Sequence, residues 1–107
     1  MSARRVRQLN DEFRRTLQGG KVVVTSGVEA LGENALSIVL GEVQTFADFG
    51  AVSDPHSAHD FGTFDVAGHK FLWKIDAYDT HMEFGSEDPA DSMRTTRVLT
   101  VMLASEY

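Results

Sequence analysis

Two histidines three residues apart, His56 and His59, stand among carboxylates in the run Asp54-Pro55-His56-Ser57-Ala58-His59-Asp60. A second polar run, Lys74-Ile75-Asp76-Ala77-Tyr78-Asp79, follows downstream. Imidazole titrates near neutral pH, and a carboxylate beside it favours the imidazolium and fixes the ring, the first half of an acid–base arrangement. Two imidazoles with neighbouring carboxylates are also the residue types that ligate zinc or manganese. His56, His59, Asp60, Lys74, Asp76 and Asp79 therefore form the candidate polar site. Its sharp reading is chemistry, its plain reading a structural polar network, since Asp-Pro and its neighbours are ordinary turn residues. No residue is assigned a catalytic or metal-ligating role on this pattern alone.

Arginine supplies the second candidate. Residues 1–17 hold Arg4, Arg5, Arg7, Arg14 and Arg15 against Asp11 and Glu12, a local balance of +3, whereas the other ninety residues balance at −9. The arginines are a candidate partner-binding surface. An acidic body attracts basic surfaces and repels nucleic acid, so nucleic-acid contact through these arginines is the reading that the body disfavours. Thr95-Thr96-Arg97 adds hydroxyls and a guanidinium that suit an anion contact. The phosphate-binding glycine loop, the dinucleotide fingerprint, the zinc-protease helix, the nucleophile elbow and the calcium loop are all missing, and no cofactor is expected.

The elements that must position these groups follow from periodicity. Val6, Leu9, Phe13 and Leu17 make one helical stripe with the arginines mostly off it, and Gly19-Gly20 stops the helix. Residues 21–25 are a short β-branched run, the pattern of a strand buried on both sides. Ser26-Gly27-Val28-Glu29 has the form of a capping box and starts a helical turn that Gly32 interrupts. The clearest helix spans 33–47, with Leu36, Val39, Leu40, Val43 and Phe46/Ala47 in step. Gly41 inside it costs about 1 kcal/mol relative to Ala and implies a close approach of a neighbouring element. Residues 48–60 form a polar connection.

A hairpin follows: 61–66, a turn at Ala67-Gly68, then 69–78. A two-residue loop pairs Val66 with His69, Phe64 with Phe71 and Gly62 with Trp73, which gathers one apolar face. A three-residue loop would relieve Ala67 of positive φ but would spoil that face, so the hydrophobic pattern decides. Extended upstream, the chosen register sets His59 opposite Asp76. Met82-Glu83-Phe84 is expected to add a short strand, and Trp73, Met93 and Met102 to be packing residues. Residues 92–107 suit a strand by Thr/Val content, or a helix by the Asp91/Ser92 cap and their length; the expectation is helix.

The 107 residues fit one domain, residues 1–107, with hydrophobic content of 42% and ten aromatics to build a core. Without cysteine there are no disulfides or thiolate ligands. The basic N-terminal segment lacks the apolar core of a signal peptide, and no run nears the ~20 residues of a membrane span, so a cytoplasmic, non-membrane protein is expected.

The residues also resemble a family. Leu9-Asn10-Asp11 with Phe13-Arg14, Asp54-Pro55-His56, His59-Asp60-Phe61-Gly62, Trp73-Lys74-Ile75-Asp76 with Tyr78-Asp79, Asp88-Pro89-Ala90-Asp91, Thr96-Arg97-Val98-Leu99-Thr100, and the closing Met102-Leu103-Ala104 and Glu106-Tyr107 are similar to the bacterial domain of unknown function 3768 family. The resemblance brings no activity. It implies a small bacterial protein of plasmids or phage-derived regions. Ala77 and Ala58 depart from its pattern, which has a second aromatic and an acidic residue there, and this trims the polar cluster.

The expected architecture is α+β, a three- to four-stranded mainly antiparallel sheet with about three helices mostly on one face. The leading functional expectation is a non-catalytic binding or regulatory protein, accessory or anti-defence, of a mobile element, with a protein partner. The alternatives are a hydrolase-like or metal-dependent enzyme using the His/Asp cluster, and nucleic-acid contact through the arginines. Oligomeric state is not set by these residues.

Overall fold

The computed structural model describes residues 3–52 and 54–107. Met1 and Ser2 of the basic segment and Ser53 of the polar connection lie outside the described residues. Helix α1 (Ala3–Thr16) ends where Leu17 takes a left-handed φ of 58°. Strand β1 (Gly20–Val24) leads into α2 (Ser26–Glu29) and α3 (Glu33–Gln44). After an irregular connection come β2 (Phe61–Val66) and β3 (His69–Tyr78), then β4 (Thr96–Leu103), flanked by single 3-10 turns at Ser92–Arg94 and Ala104–Glu106. The sheet order is β1-β4-β3-β2, with β1 parallel to β4 and the other neighbours antiparallel. This is the expected α+β class.

The last strand is the largest correction. The helix expected over 92–107 is a 3-10 turn and a strand that runs between β1 and β3. Asp91 does cap, accepting a hydrogen bond from the Met93 N–H at 3.0 Å, but it caps one turn only. Beyond it, Val98, Leu99, Val101 and Met102 are buried on both faces, and only a central strand can bury a continuous apolar run that way. That position was expected of residues 21–25. Instead β1 is an edge strand and largely exposed, with Val23 on the helix-free face.

Smaller differences have local causes. Ser26 and Glu29 form no capping box; the α2 turn is capped from the C-terminus, where Glu106 accepts from the Gly27 N–H at 3.1 Å and from the Thr25 hydroxyl at 2.6 Å. Helix α3 stops at Gln44, three residues short of the expected end. Gly41 faces open space, so the close approach expected there does not exist. The strand expected at 82–84 reduces to one bridge between Tyr78 and Gly85, because Asp79 turns the chain by accepting from the His81 and Glu83 N–H groups. Met102 is buried as expected, but Met93 is 84% exposed.

The hairpin keeps the expected register throughout. Ala67 and Gly68 both take positive φ, 52° and 83°, so burial of the apolar face outweighs the strain of one alanine. Phe71, Trp73 and Ile75 on β3 share that face with Leu99 and Val101 on β4. Phe13 of α1, Val28 of α2, and Val39 and Val43 of α3 close over it, so all three helices sit on one side.

Candidate functional site

The connection between α3 and β2 is shaped by Asp54, whose carboxylate accepts from the Ala58 and His59 N–H groups at 3.0 and 3.2 Å. The aspartate before proline thus closes a turn, as expected, through bonds to N–H groups four and five residues on. The β2–β3 ladder extends one residue upstream, with the Ile75 N–H donating to the Asp60 carbonyl at 2.8 Å. There it stops, because His59 takes a left-handed φ of 52°. That rotation carries the imidazole away from Asp76 and onto the helix side of the sheet.

The expected pairing of His59 with Asp76 is therefore not made. His59 Nδ1 donates to the Asp11 carboxylate at 2.9 and 3.1 Å, and its Nε2 lies 3.6 Å from Asp54. Its ring stacks on Phe49 at 3.7 Å between centroids. Asp76 pairs with Lys74 at 2.7 Å on the opposite, helix-free face, and this contact draws the lysine pKa upward. Asp79 is spent on its turn. His56 is exposed. Asp60 is exposed as a residue, yet its carboxyl is raised above the usual range, first by desolvation and then by the charges of Asp54 and Asp76. Among the described residues no group of three or more His, Asp or Glu is placed to hold a metal ion.

Asp11 joins this loop to Arg14, which the sequence reading placed on a partner-binding surface. Arg14 is fully buried. Its Nη1 donates to the carbonyls of Val43, Gln44 and Phe46 at 2.9, 3.3 and 2.9 Å, closing the C-terminus of α3. There the helix dipole and unpaired carbonyls favour a cation. Its Nη2 donates to Asp11 at 3.0 Å, and its guanidinium lies 5.3 Å from the ring centres of both Phe49 and Trp73. The basic surface is thereby reduced to Arg4, Arg5, Arg7 and Arg15. Asn10 completes the frame: its amide donates to the Ala58 carbonyl at 2.9 Å, and its oxygen accepts from Arg97 Nε at 2.8 Å.

The arrangement locks loop 54–60, α1, the end of α3 and β4 together, and its imidazole and carboxylates are engaged inside the protein. Sequence reasoning missed Asn10, Asp11, Phe49 and the inward turn of Arg14. One signal could have found two of them: Asp11 and Arg14 are spaced i, i+3 for an ion pair on a single helix face.

Burial pushes the Asp11 carboxyl up, but the hydrogen bonds from His59 and Arg14 outweigh it and hold the group below the usual carboxylate range. A depressed carboxylate contributes stability that is fully present above the unfolded-state pKa and is lost as pH falls through the lower folded value. Acid titration of unfolding stability should thus fall steeply below about pH 4, the ordinary aspartate value, and Asp11→Asn should flatten that limb. An unchanged acid slope in the variant would refute the assignment.

A family model described as "Protein of unknown function (DUF3768)" matches residues 24–106. The match begins after α1, so Asn10, Asp11 and Arg14 lie outside it. No curated protein and no solved structure matches the chain.

Proposed function

The chain belongs to the DUF3768 family, and on that premise we propose that it is a non-catalytic binding protein that acts on a protein partner, as an accessory or anti-defence factor of a mobile element. The observation that carries this reading is an apolar pair left uncovered beyond β3. Phe84 is 71% exposed and Met93 84% exposed, and both line one open cavity of about 380 Å³ with Arg94 and Glu87. Large apolar side chains presented together at the surface mark interaction sites, and Phe and Met are enriched at interface centres. The surrounding body is acidic, which suits a partner with a basic surface. Of the two histidines in the His/Asp cluster, His59 is turned toward Asp11 and Phe49, which supports a structural role for it. Among the described residues no helix is long and apolar enough to cross a membrane.

The test is capture from a native host with the protein and its Phe84→Ser/Met93→Ser variant. The wild type should retain one basic host protein at near-equal stoichiometry. The variant should lose about 3 kcal/mol of binding, roughly a hundredfold, because two exposed hot-spot candidates are removed. Its Tm should be unchanged, since neither side chain is in the core. Equal capture by the variant, or substrate turnover by the pure protein, overturns the proposal.

A further inference from the structure

Two arginines are buried in this protein, and they are neutralised very differently. Arg14 has a carboxylate, three carbonyls and the negative end of a helix. Arg97, 4% exposed, has none of these. Its Nε donates to the Asn10 amide oxygen and its Nη2 to the Pro89 carbonyl, both uncharged acceptors. Its Nη1 donates to no acceptor among the described residues, and no carboxylate there pairs with it. Burying a guanidinium without a counter-charge is costly. Moreover, the charge that bears on its titration is that of another arginine. Burial, and then the charge of Arg5, both push the Arg97 guanidinium below its ordinary value.

Arg97 lines a cavity of about 290 Å³ between α1, the Gln18-Gly19 turn and the 3-10 turn before β4. Arg5 lines the same cavity, and so does Ser92, whose hydroxyl makes no hydrogen bond among the described residues. Among the described residues, the one carboxylate in its lining, Glu12, is on an exposed residue and makes no ion pair with Arg97. The cavity is near the lower end of the size range of small-molecule sites. Two arginines lining one opening match a tetrahedral dianion better than a single-charged carboxylate, because each guanidinium can donate to a different oxygen.

We propose that this pocket binds the phosphate group of a small phosphorylated molecule, held by Arg97 from beneath and Arg5 from the rim. The missing counter-charge of Arg97 is then supplied by the ligand. The site is separate from the Phe84/Met93 surface, so either can fail without the other.

The experiment is a titration of the full chain, followed by amide chemical shifts and calorimetry, with inorganic phosphate, ribose 5-phosphate, acetate and a phosphoserine peptide as probes. Phosphate should give saturable shifts confined to Gly19, Ser92, Thr95 and Arg97. Tighter binding of ribose 5-phosphate assigns the site to an organic phosphate, and equal binding assigns it to free phosphate. Arg5→Gln, at the exposed rim, should leave the fold intact and weaken phosphate about tenfold, the value of one charged hydrogen bond. Glu12→Gln should tighten it, and Arg97→Lys should weaken it while keeping the charge. Non-saturating shifts, equal response to acetate, or an Arg5→Gln affinity equal to the wild type would overturn the proposal. Tighter binding of the phosphoserine peptide would overturn the small-molecule assignment.

Discussion

Replacing Arg14 with methionine is expected to lower the unfolding free energy by about 3–5 kcal/mol, the usual effect of removing one member of a buried charged network. For a domain of this size that is a fall in Tm of roughly 15–30 °C. Methionine is close to arginine in length and apolar along its stem, so the variant leaves little cavity and reads mainly the lost polar contacts. Those contacts are the carbonyls of Gln44 and Phe46, which lose their side-chain donor, that of Val43, which keeps the Phe46 N–H, and Asp11, which keeps only His59 and distant Arg15. The buried face of Phe49 and Trp73 loses its cation as well. A thermal melt of each single variant and of Asp11→Asn/Arg14→Met checks the account. The double variant should cost less than the sum of the two singles, because the second change removes a group the first has already left unpaired. A loss below about 1 kcal/mol for Arg14→Met would place it among ordinary surface substitutions and would refute the locking role.

The second large effect concerns Gly62. A Cβ built there would lie 2.5 Å from Trp73 Nε1 and 2.6 Å from the Phe46 ring, and Trp73 is wholly buried. Neither ring can retreat freely, since Phe46 packs edge-on against both Trp73 and Phe49 at 5.5 and 5.1 Å. Gly62→Ala should therefore destabilise by about 1–3 kcal/mol through overpacking. Because Trp73 is the sole tryptophan, its fluorescence reports the displacement directly, and the variant should show red-shifted emission at native conditions. Thr63→Ala, at the exposed neighbouring position, is the control and should change neither quantity. A Gly62→Ala protein with native emission and native Tm would refute the packing of tryptophan over this glycine.

That glycine also shows how far local pattern carried. The alternation of apolar residues in 61–78 selected one pairing against the turn preference of Ala67, and the pairing is the observed one. The stripe in α1 and the steps in α3 were legible for the same reason: each is a repeat within a single element. The site was less legible. His59 was placed by extending a strand ladder one residue beyond the point where a left-handed φ turns it around, and no property of His59 itself marks that break. Arg14 read as a surface cation because arginine is rarely buried without partners, and its partners are backbone carbonyls at the end of a different helix.

The sequence by itself determined what depends on neighbours within a few residues: the α+β class, the hairpin and its register, the helical stripes, the uneven charge and the resemblance that the family match confirms over 24–106. Tertiary structure alone decided the strand state of 96–103, the edge position of β1, the engagement of His59 with Asp11, and the burial of Arg14 and Arg97. The physical reason is common to all of these. Whether an apolar run becomes a central strand, or a charged side chain turns inward, depends on which distant backbone groups and side chains arrive to pair with it. Asn10 and Arg97, far apart in the chain, meet at 2.8 Å, and no local spacing encodes that meeting.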